Sequence, residues 1–435
     1  MSEVIADNHF DLIIIGGGLA GASLACALKN IGADQFPGDK PLNIAVIEAF
    51  ELNTDSQPSY DDRTVALSYG SRCIFDSMGL WSSLEPYAEA INTIHISDRG
   101  HFGISRLTRE QEGVEALGYV LENRVIGRQL YAEIKHGSSE PRCATAGGDS
   151  SLSKVQLFCP ASLVKLQQDE NQVSVVIQLG EAQQTLTGSL LVAADGNNSQ
   201  VMKLLAIGSS RQSYDQVALI CNVTPAKRHN NVAYERFTDT GPLAFLPMQH
   251  NRCSVVWSLH PEQADYLYAL DEADFLAQLQ QRFGYRLGRI IKTGKRHIYP
   301  LFLQSASQMV HGRVAIIGNA AHSVHPVAGQ GFNLALRDIA MLTELIIQTR
   351  QTTDDIGQQA MLYEYARSRE QDIKRVYRFT DTLVKAFSNA VTPLAHIRSL
   401  SLLLVDILPD VKHRLARQSM GLSGRLTRMN RGLRL

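Results

Sequence analysis

The sequence predicts an α/β protein with a discontinuous first lobe, a β-rich second lobe and a helical C-terminal region. Two observations predict the first lobe. Residues 11–27 and 313–338 each read as an apolar strand, a glycine-bearing loop and a helix start, yet they lie at opposite ends of a 435-residue chain. A third observation predicts the second lobe. Between about 210 and 300 the chain carries a succession of strand-like segments.

The elements follow in order. Residues 11–15 form a compact β-branched run, the pattern of a buried parallel strand. Residues 16–21 turn the chain, 22–29 have helical composition and 43–48 form the next strand, which together make a βαβ unit. A polar loop at 35–41 lengthens that unit. Residues 51–62 are polar and turn-rich, 63–90 look helical, and 136–153 read as a surface loop of Gly, Ser and Ala. Residues 173–179 alternate as a strand, and 189–194 form another. Strand composition at 217–223, 232–237, 242–246 and 252–259 predicts an antiparallel sheet, with a helix over 271–283 interrupting it. Residues 332–349 predict an amphipathic helix, and 356–406 are also helical.

Composition narrows the function. With 44% hydrophobic residues the chain can build two lobes with real cores. A formal net charge of −1 points to neither a nucleic-acid partner nor an acidic tail. Six cysteines without a close pair argue against zinc, a redox C-x-x-C and a disulfide framework, so no metal is expected. No apolar run is long enough for a signal core or a membrane span. The expectation is a cytoplasmic chain, at most peripheral on a membrane.

Gly16, Gly18 and Gly21 fit G-x-G-x-x-G between a predicted strand and a predicted helix. The first makes the turn, the second leaves room for a pyrophosphate, and the third lets helix and strand pack closely. The helix N-terminus then offers free N–H groups to phosphate. Glu48 ends the next strand, where a carboxylate accepts from ribose hydroxyls and repels a 2′-phosphate. This favours FAD or NAD over NADP. Residues 190–199 run as a strand into Asp195-Gly196, although Asp-Gly is also an ordinary turn pair. The late loop carries Gly318, Asn319, Pro326, Gly329, Gly331 and Asn333, and its helix start suits a reduced flavin ring. Two such loops suggest one long cofactor held from both ends, and FAD has the right length. His322 and His325 read either as acid/base groups or, preferably, as loop residues with structural hydrogen bonds. Arg337 and Asp338 read as helix-surface or pairing residues.

Three motifs in this order resemble the class A flavoprotein aromatic hydroxylases of the para-hydroxybenzoate hydroxylase type. The matches are Gly16–Gly21, Asp195-Gly196 and Gly318-Asn319, and the resemblance covers nearly the whole chain. The runs 62–71, 117–124 and 235–247 are similar to the ubiquinone-biosynthesis (UbiH/VisC-like) hydroxylases. Residues 93–101 and 318–321 look most like the 2-octaprenyl-6-methoxyphenol hydroxylases. The resemblance implies a Rossmann-type FAD lobe over 1–75, 100–205 and 295–350. It implies a β-rich substrate lobe over 76–99 and 206–294, and a helical C-terminal region with a basic tail over 351–435. It places Arg63 near the flavin and Arg128 near the pyrophosphate. Two departures stand out. Asn319 replaces the family's usual Asp, and Met202 replaces an Arg that ends the middle motif, which leaves the donor open between NAD(P)H and another reductant.

The resemblance also implies the chemistry. Reduced FAD takes up O₂ as a C4a-hydroperoxide, and an electron-rich prenylated phenol receives the oxygen, so no side-chain nucleophile is required. The flavin site must be dry. The run 241–247 is expected to wall the ring and 326–331 the flavin side. An octaprenyl substrate lives in membrane, and after Asp410 the chain has seven Lys or Arg and no acid. A basic, amphipathic C-terminus suits an anionic bilayer, a solvated tail or a docking surface in a biosynthetic assembly. Sister hydroxylases acting at another ring position and flavin-dependent lipid reductases are the competing classes. A halogenase is disfavoured because Trp81 and Trp257 are the only tryptophans.

Overall fold

The computed structural model describes residues 8–31, 41–51, 63–99, 103–136, 153–324, 329–387 and 408–434. The expected loops at 35–41 and 136–153, most of the turn-rich 51–62, residues 388–406 of the expected tail helix, and His325 and Pro326 lie essentially outside the described residues.

The first strand, His9–Ile15, sits at the centre of an eight-stranded sheet. It pairs in parallel with Asn43–Ile47 on one side and Ala182–Ala193 on the other. Lys154–Phe158 and Val314–Ile316 extend the parallel array outward. Its stretch 12–15 is apolar throughout because both faces are covered there. Leu12 and Ile14 pack under the helices Leu19–Lys29, Asn123–Lys135 and Gln330–Arg350, while Ile13 and Ile15 pack toward the antiparallel strands Ser162–Gln168 and Val173–Leu179. The first strand is followed in this sheet by Asn43–Ile47 on one side, and Ala182–Ala193 by Val314–Ile316 on the other. A crevice therefore opens at their carboxyl ends, where nucleotides bind in such sheets.

The second sheet has nine strands. Ser209–Pro225, Arg252–Leu259, Gly241–Met248 and Val232–Thr238 are antiparallel neighbours, as expected. The helix Glu272–Phe283 begins where expected, with the Asp271 side chain accepting from the Asp274 N–H. Thr93–Asp98 joins this sheet in parallel with Val232–Thr238, so the sheet is not wholly antiparallel.

Two expectations are corrected. Residues 63–90 are not one helical region. Thr64–Ser68 is a strand paired with Gly118–Glu122, and the chain turns helical only at Tyr69–Ser77, capped by the Ser68 hydroxyl. Gln330–Arg350 is helical but not amphipathic, since it is buried almost all round. The helix Gln359–Phe387 covers the side that would otherwise meet water. Among the described residues no helix is long and apolar enough to cross a membrane, and no His/Cys/Asp/Glu group could hold a metal ion.

Candidate active site

A cavity of about 1030 Å³ runs from the carboxyl end of the parallel sheet to the face of the second sheet. It lies at the upper end of the roughly 300–1,000 Å³ typical of ligand clefts. Gly16, Gly18, Glu48, Arg63, Asp195, Gly196, Asn319, Gly329, Gly331 and Asn333 all line it. Residues from both ends of the chain thus meet around one space.

The glycine loop is held tightly. Gly21 lies in the first turn of Leu19–Lys29, and a Cβ there would sit 1.9 Å from the Gly16 carbonyl oxygen. The Tyr131 hydroxyl donates to the Gly17 carbonyl at 2.7 Å. Gly18 caps the helix without any side-chain hydrogen bond, so its first N–H groups stay open toward the cavity. Glu48 accepts from Gly17 N–H at 2.6 Å and Phe50 N–H at 2.9 Å. Burial raises its pKa while those backbone donors pull it down. Each oxygen keeps a second lone pair for a ligand hydroxyl.

Asp195 uses Oδ2 to accept from the Gln200 and Val201 N–H groups. Its Oδ1 is buried without a hydrogen-bond partner among the described residues, and burial raises the carboxyl pKa. An unsatisfied carboxylate oxygen at a cavity wall calls for a donor from a ligand. Arg63 stands over the Tyr299 ring at 4.7 Å. At the far end, Gly329 precedes the helix Gln330–Arg350 with φ 61°, and a Cβ would press Ala66 at 3.1 Å. Asn333 ties this corner together, accepting from Ser68 N–H and donating to the Ala66 and Gly329 carbonyls. Asn319 is exposed into the cavity, and Gly318 is buried beneath it.

Other expected residues lie elsewhere. Arg128 is exposed on Asn123–Lys135 and is not among the lining residues. His322 is 1% exposed and also does not line the cavity. Its Nε2 donates to Asp338 Oδ2 at 2.6 Å. Asp338 Oδ1 accepts from Arg369 Nε at 2.7 Å, and Asp372 pairs with both Arg369 and Arg337. This buried network holds the Gly318 loop, whose N–H also donates to Asp338. Met202 is buried in the core, so the departure from Arg falls away from the cavity.

The FAD binding domain family matches residues 9–380 of the chain. A ubiquinone hydroxylase, UbiL of Rhodospirillum rubrum, is 33% identical over 421 residues, covering 96% of this chain and 90% of that protein. The chain belongs to the FAD-dependent ubiquinone hydroxylases. The ubiquinone biosynthesis monooxygenase COQ6 of Homo sapiens is 27% identical, with 95% of this chain and 93% of that protein covered. Among solved structures, the p-nitrophenol 4-monooxygenase PnpA of Pseudomonas putida shares the fold at a TM-score of 0.74 and 16% identity, covering 96% of this chain and 99% of that one. PqsL of Pseudomonas aeruginosa shares it at 0.71 and 19%, covering 91% and 99%.

The residues present in this hydroxylase fit FAD. Its cavity has an uncapped helix N-terminus and a Gly-lined turn at one end, and a second helix start at the other. The unpaired Asp195 oxygen and the Asn319 amide lie among the lining groups between and beside them. Beyond this cradle the cavity becomes apolar, walled by the face of the second sheet, to which Gly241–Met248 contributes Ala244 and Leu246. One charged residue, Glu235, interrupts that wall. In the sequence Glu235 stands out only as part of the run 235–247 that resembles the family. The signal was there in the strand's alternation, which puts residues 233, 235 and 237 on one face and so sets a carboxylate between Ala and Phe. Tyr131 was also missed, and no local pattern distinguishes it from a core tyrosine.

Proposed function

We propose that this hydroxylase adds oxygen to the ring of a prenylated phenol in ubiquinone biosynthesis, with 2-octaprenyl-6-methoxyphenol as its substrate. The observation that carries the reading is the shape and chemistry of the cavity. A polar cradle sized for a dinucleotide opens directly into an apolar chamber bounded by Ile91, Ile94, Ile96, Leu107, Leu117 and Ile220. A planar phenol with a hydrocarbon chain matches such walls, and burying it removes water from around the reacting ring. When bound, FAD supplies the oxygen-activating chemistry. The protein orients the ring, holds the isoalloxazine beside the helix start at Gly329–Gly331 and keeps water out.

The test is product analysis. Purified holoenzyme, a short-chain prenyl analogue of 6-methoxyphenol, a chemical or enzymatic flavin reductant and labelled O₂ are combined. The expected product gains one labelled oxygen on the ring. Oxygen uptake yielding only hydrogen peroxide with every prenylated phenol tried would reject the reading. In cells lacking the gene, a methoxyphenol precursor is expected to accumulate. An unmethoxylated or demethoxy precursor would assign the chain to a sister position instead.

The same reading gives the C-terminal helix Pro409–Ser419 a second role. It sends Leu415 and Ser419 into the cavity wall. Toward its N-terminal end the same stripe carries the exposed Leu408 and Val411, and the exposed Arg414 and Arg417 flank it. Apolar and basic groups side by side suit an anionic bilayer that delivers a lipid substrate. Truncation would open the cavity, so the double substitution Val411→Asp/Arg414→Glu is the cleaner test. It is expected to reduce co-sedimentation with phosphatidylglycerol vesicles several-fold while the flavin remains bound. Equal co-sedimentation of the two proteins would rule the membrane role out.

A further inference from the structure

Across the second sheet, one transverse row of residues faces the cavity. Strand register lines up Ser105, Ile96, Glu235, Ala244, Val256 and Ile220 side by side on five successive pairings. All six line the cavity. Five of them are aliphatic or a hydroxyl. The sixth is a carboxylic acid placed in the middle of the chamber floor.

Its surroundings offer it nothing. No side chain among the described residues donates a hydrogen bond to, or forms an ion pair with, the Glu235 carboxylate. The neighbouring strands Thr93–Asp98 and Gly241–Met248 present Ile96 and Ala244 beside it. The titratable groups nearby in sequence or register point away. Tyr234 and Arg236 alternate to the opposite face, where Tyr234 packs on His95 and Phe283 and Arg106 lies opposite His95, although Tyr234 also borders the cavity. Of the other ionisable lining residues, Glu48 and Asp195 stand at the carboxyl ends of the parallel sheet, in the cofactor cradle. Arg63 is the charged group on the cradle side of the chamber. Glu235 is only partly accessible, and it lines the cavity. A lone carboxylate in an apolar chamber is costly to keep without a task.

We propose that the Glu235 carboxylate is the catalytic base that receives the proton of the substrate's phenolic hydroxyl. The assignment rests on the phenol-hydroxylase reading above. The step is a proton transfer. The phenolic O–H bond breaks, the proton moves to a Glu235 oxygen, and the O–H electron pair is released toward the ring, raising its reactivity toward an electrophilic oxygen. Once the ring has accepted oxygen and shed its own C–H proton to water, the carboxylic acid returns its proton to the phenolic oxygen. Glu235 ends as it began. Burial lifts this carboxyl from the ordinary 4.5 to about 7, close to the range in which a base is most useful.

Glu235→Gln tests the assignment, with the bound flavin spectrum as the check on folding. With the methoxyphenol analogue, wild-type kcat should rise with pH through a limb near 7. The variant should lose that limb and fall by about 10²- to 10⁴-fold with little change in KM. A ring-fluorinated phenol, which ionises by itself, should recover much of the loss. A second readout needs no substrate. A carboxyl whose folded pKa is raised weakens the fold as pH climbs from the ordinary carboxylate value through the folded one. Glu235→Gln should therefore melt like wild type near pH 5 and later than wild type above pH 8. A variant that hydroxylates at the wild-type rate with the same pH limb would overturn the assignment, and so would a stability difference that does not depend on pH. Wild-type protein that hydroxylates no phenol at all would instead defeat the functional reading, which the melting comparison leaves untouched.

Discussion

Gly21→Ala is expected to yield a colourless protein. The added methyl would stand 1.9 Å from the Gly16 carbonyl oxygen and 3.1 Å from Ile14 Cγ2, so either the loop or the helix start must move. Without cofactor the loop is held from behind, by the Tyr131 hydroxyl on the Gly17 carbonyl and by Gly16 N–H on the Ile47 carbonyl, and its cavity side is open to a shift. With FAD bound it is pinned between the phosphates and the Tyr131 hydroxyl. Overpacking of this kind costs about 1–3 kcal/mol, and levied on the bound state alone it weakens FAD binding by roughly 5- to 160-fold. Flavin titration of apoprotein by fluorescence quenching measures it. An unchanged dissociation constant, together with an unchanged melting temperature, would show that the glycine loop is not the phosphate seat.

Asp338→Asn should be the most damaging substitution for the fold itself. Asp338 is fully buried and receives hydrogen bonds from His322, Arg369 and the Gly318 N–H. Its replacement keeps the volume, removes the charge and turns an NH₂ group toward those donors. Breaking a buried ion pair from one side costs about 3–5 kcal/mol. The urea midpoint should fall accordingly. The pH dependence has a definite sign. Burial pushes the Asp338 carboxyl up, but His322, Arg369 and the Gly318 N–H outweigh it, leaving the carboxyl below its ordinary range. Its contribution is then complete above that range and lost as pH falls through the depressed value. Wild type and variant should converge in acid and separate toward neutrality. A constant gap across that window would show that charge is not what Asp338 supplies.

The cofactor cradle was legible because its demands are local. A strand, Gly16, Gly18, Gly21 and a helix start form one continuous stretch, and Glu48 closes the same unit. Strands of both sheets were legible for the same reason: Val173–Leu179 in the first shows its alternation directly, and Arg252–Leu259 in the second has the composition of a strand. What escaped depends on partners distant in the chain. Gln330–Arg350 looks one-sided until Gln359–Phe387 is laid over it. Thr64–Ser68 is only five residues long and takes its strand form from Gly118–Glu122. Thr93–Asp98 gains its place from Val232–Thr238. Glu235 acquires meaning only when the register of six strands shows what stands beside it. His322 reads preferably as a loop residue with structural hydrogen bonds, but its partners in the Asp338–Arg369 network become visible only in the fold.

The placement of Pro409–Ser419 also bears on biosynthesis. Every described residue of the flavin cradle, from Gly16 to Asn333, has been translated well before Leu415 and Ser419 leave the ribosome. Domains take shape from the N-terminus during synthesis. The nascent hydroxylase can therefore load its prosthetic group while the substrate chamber still lacks one wall.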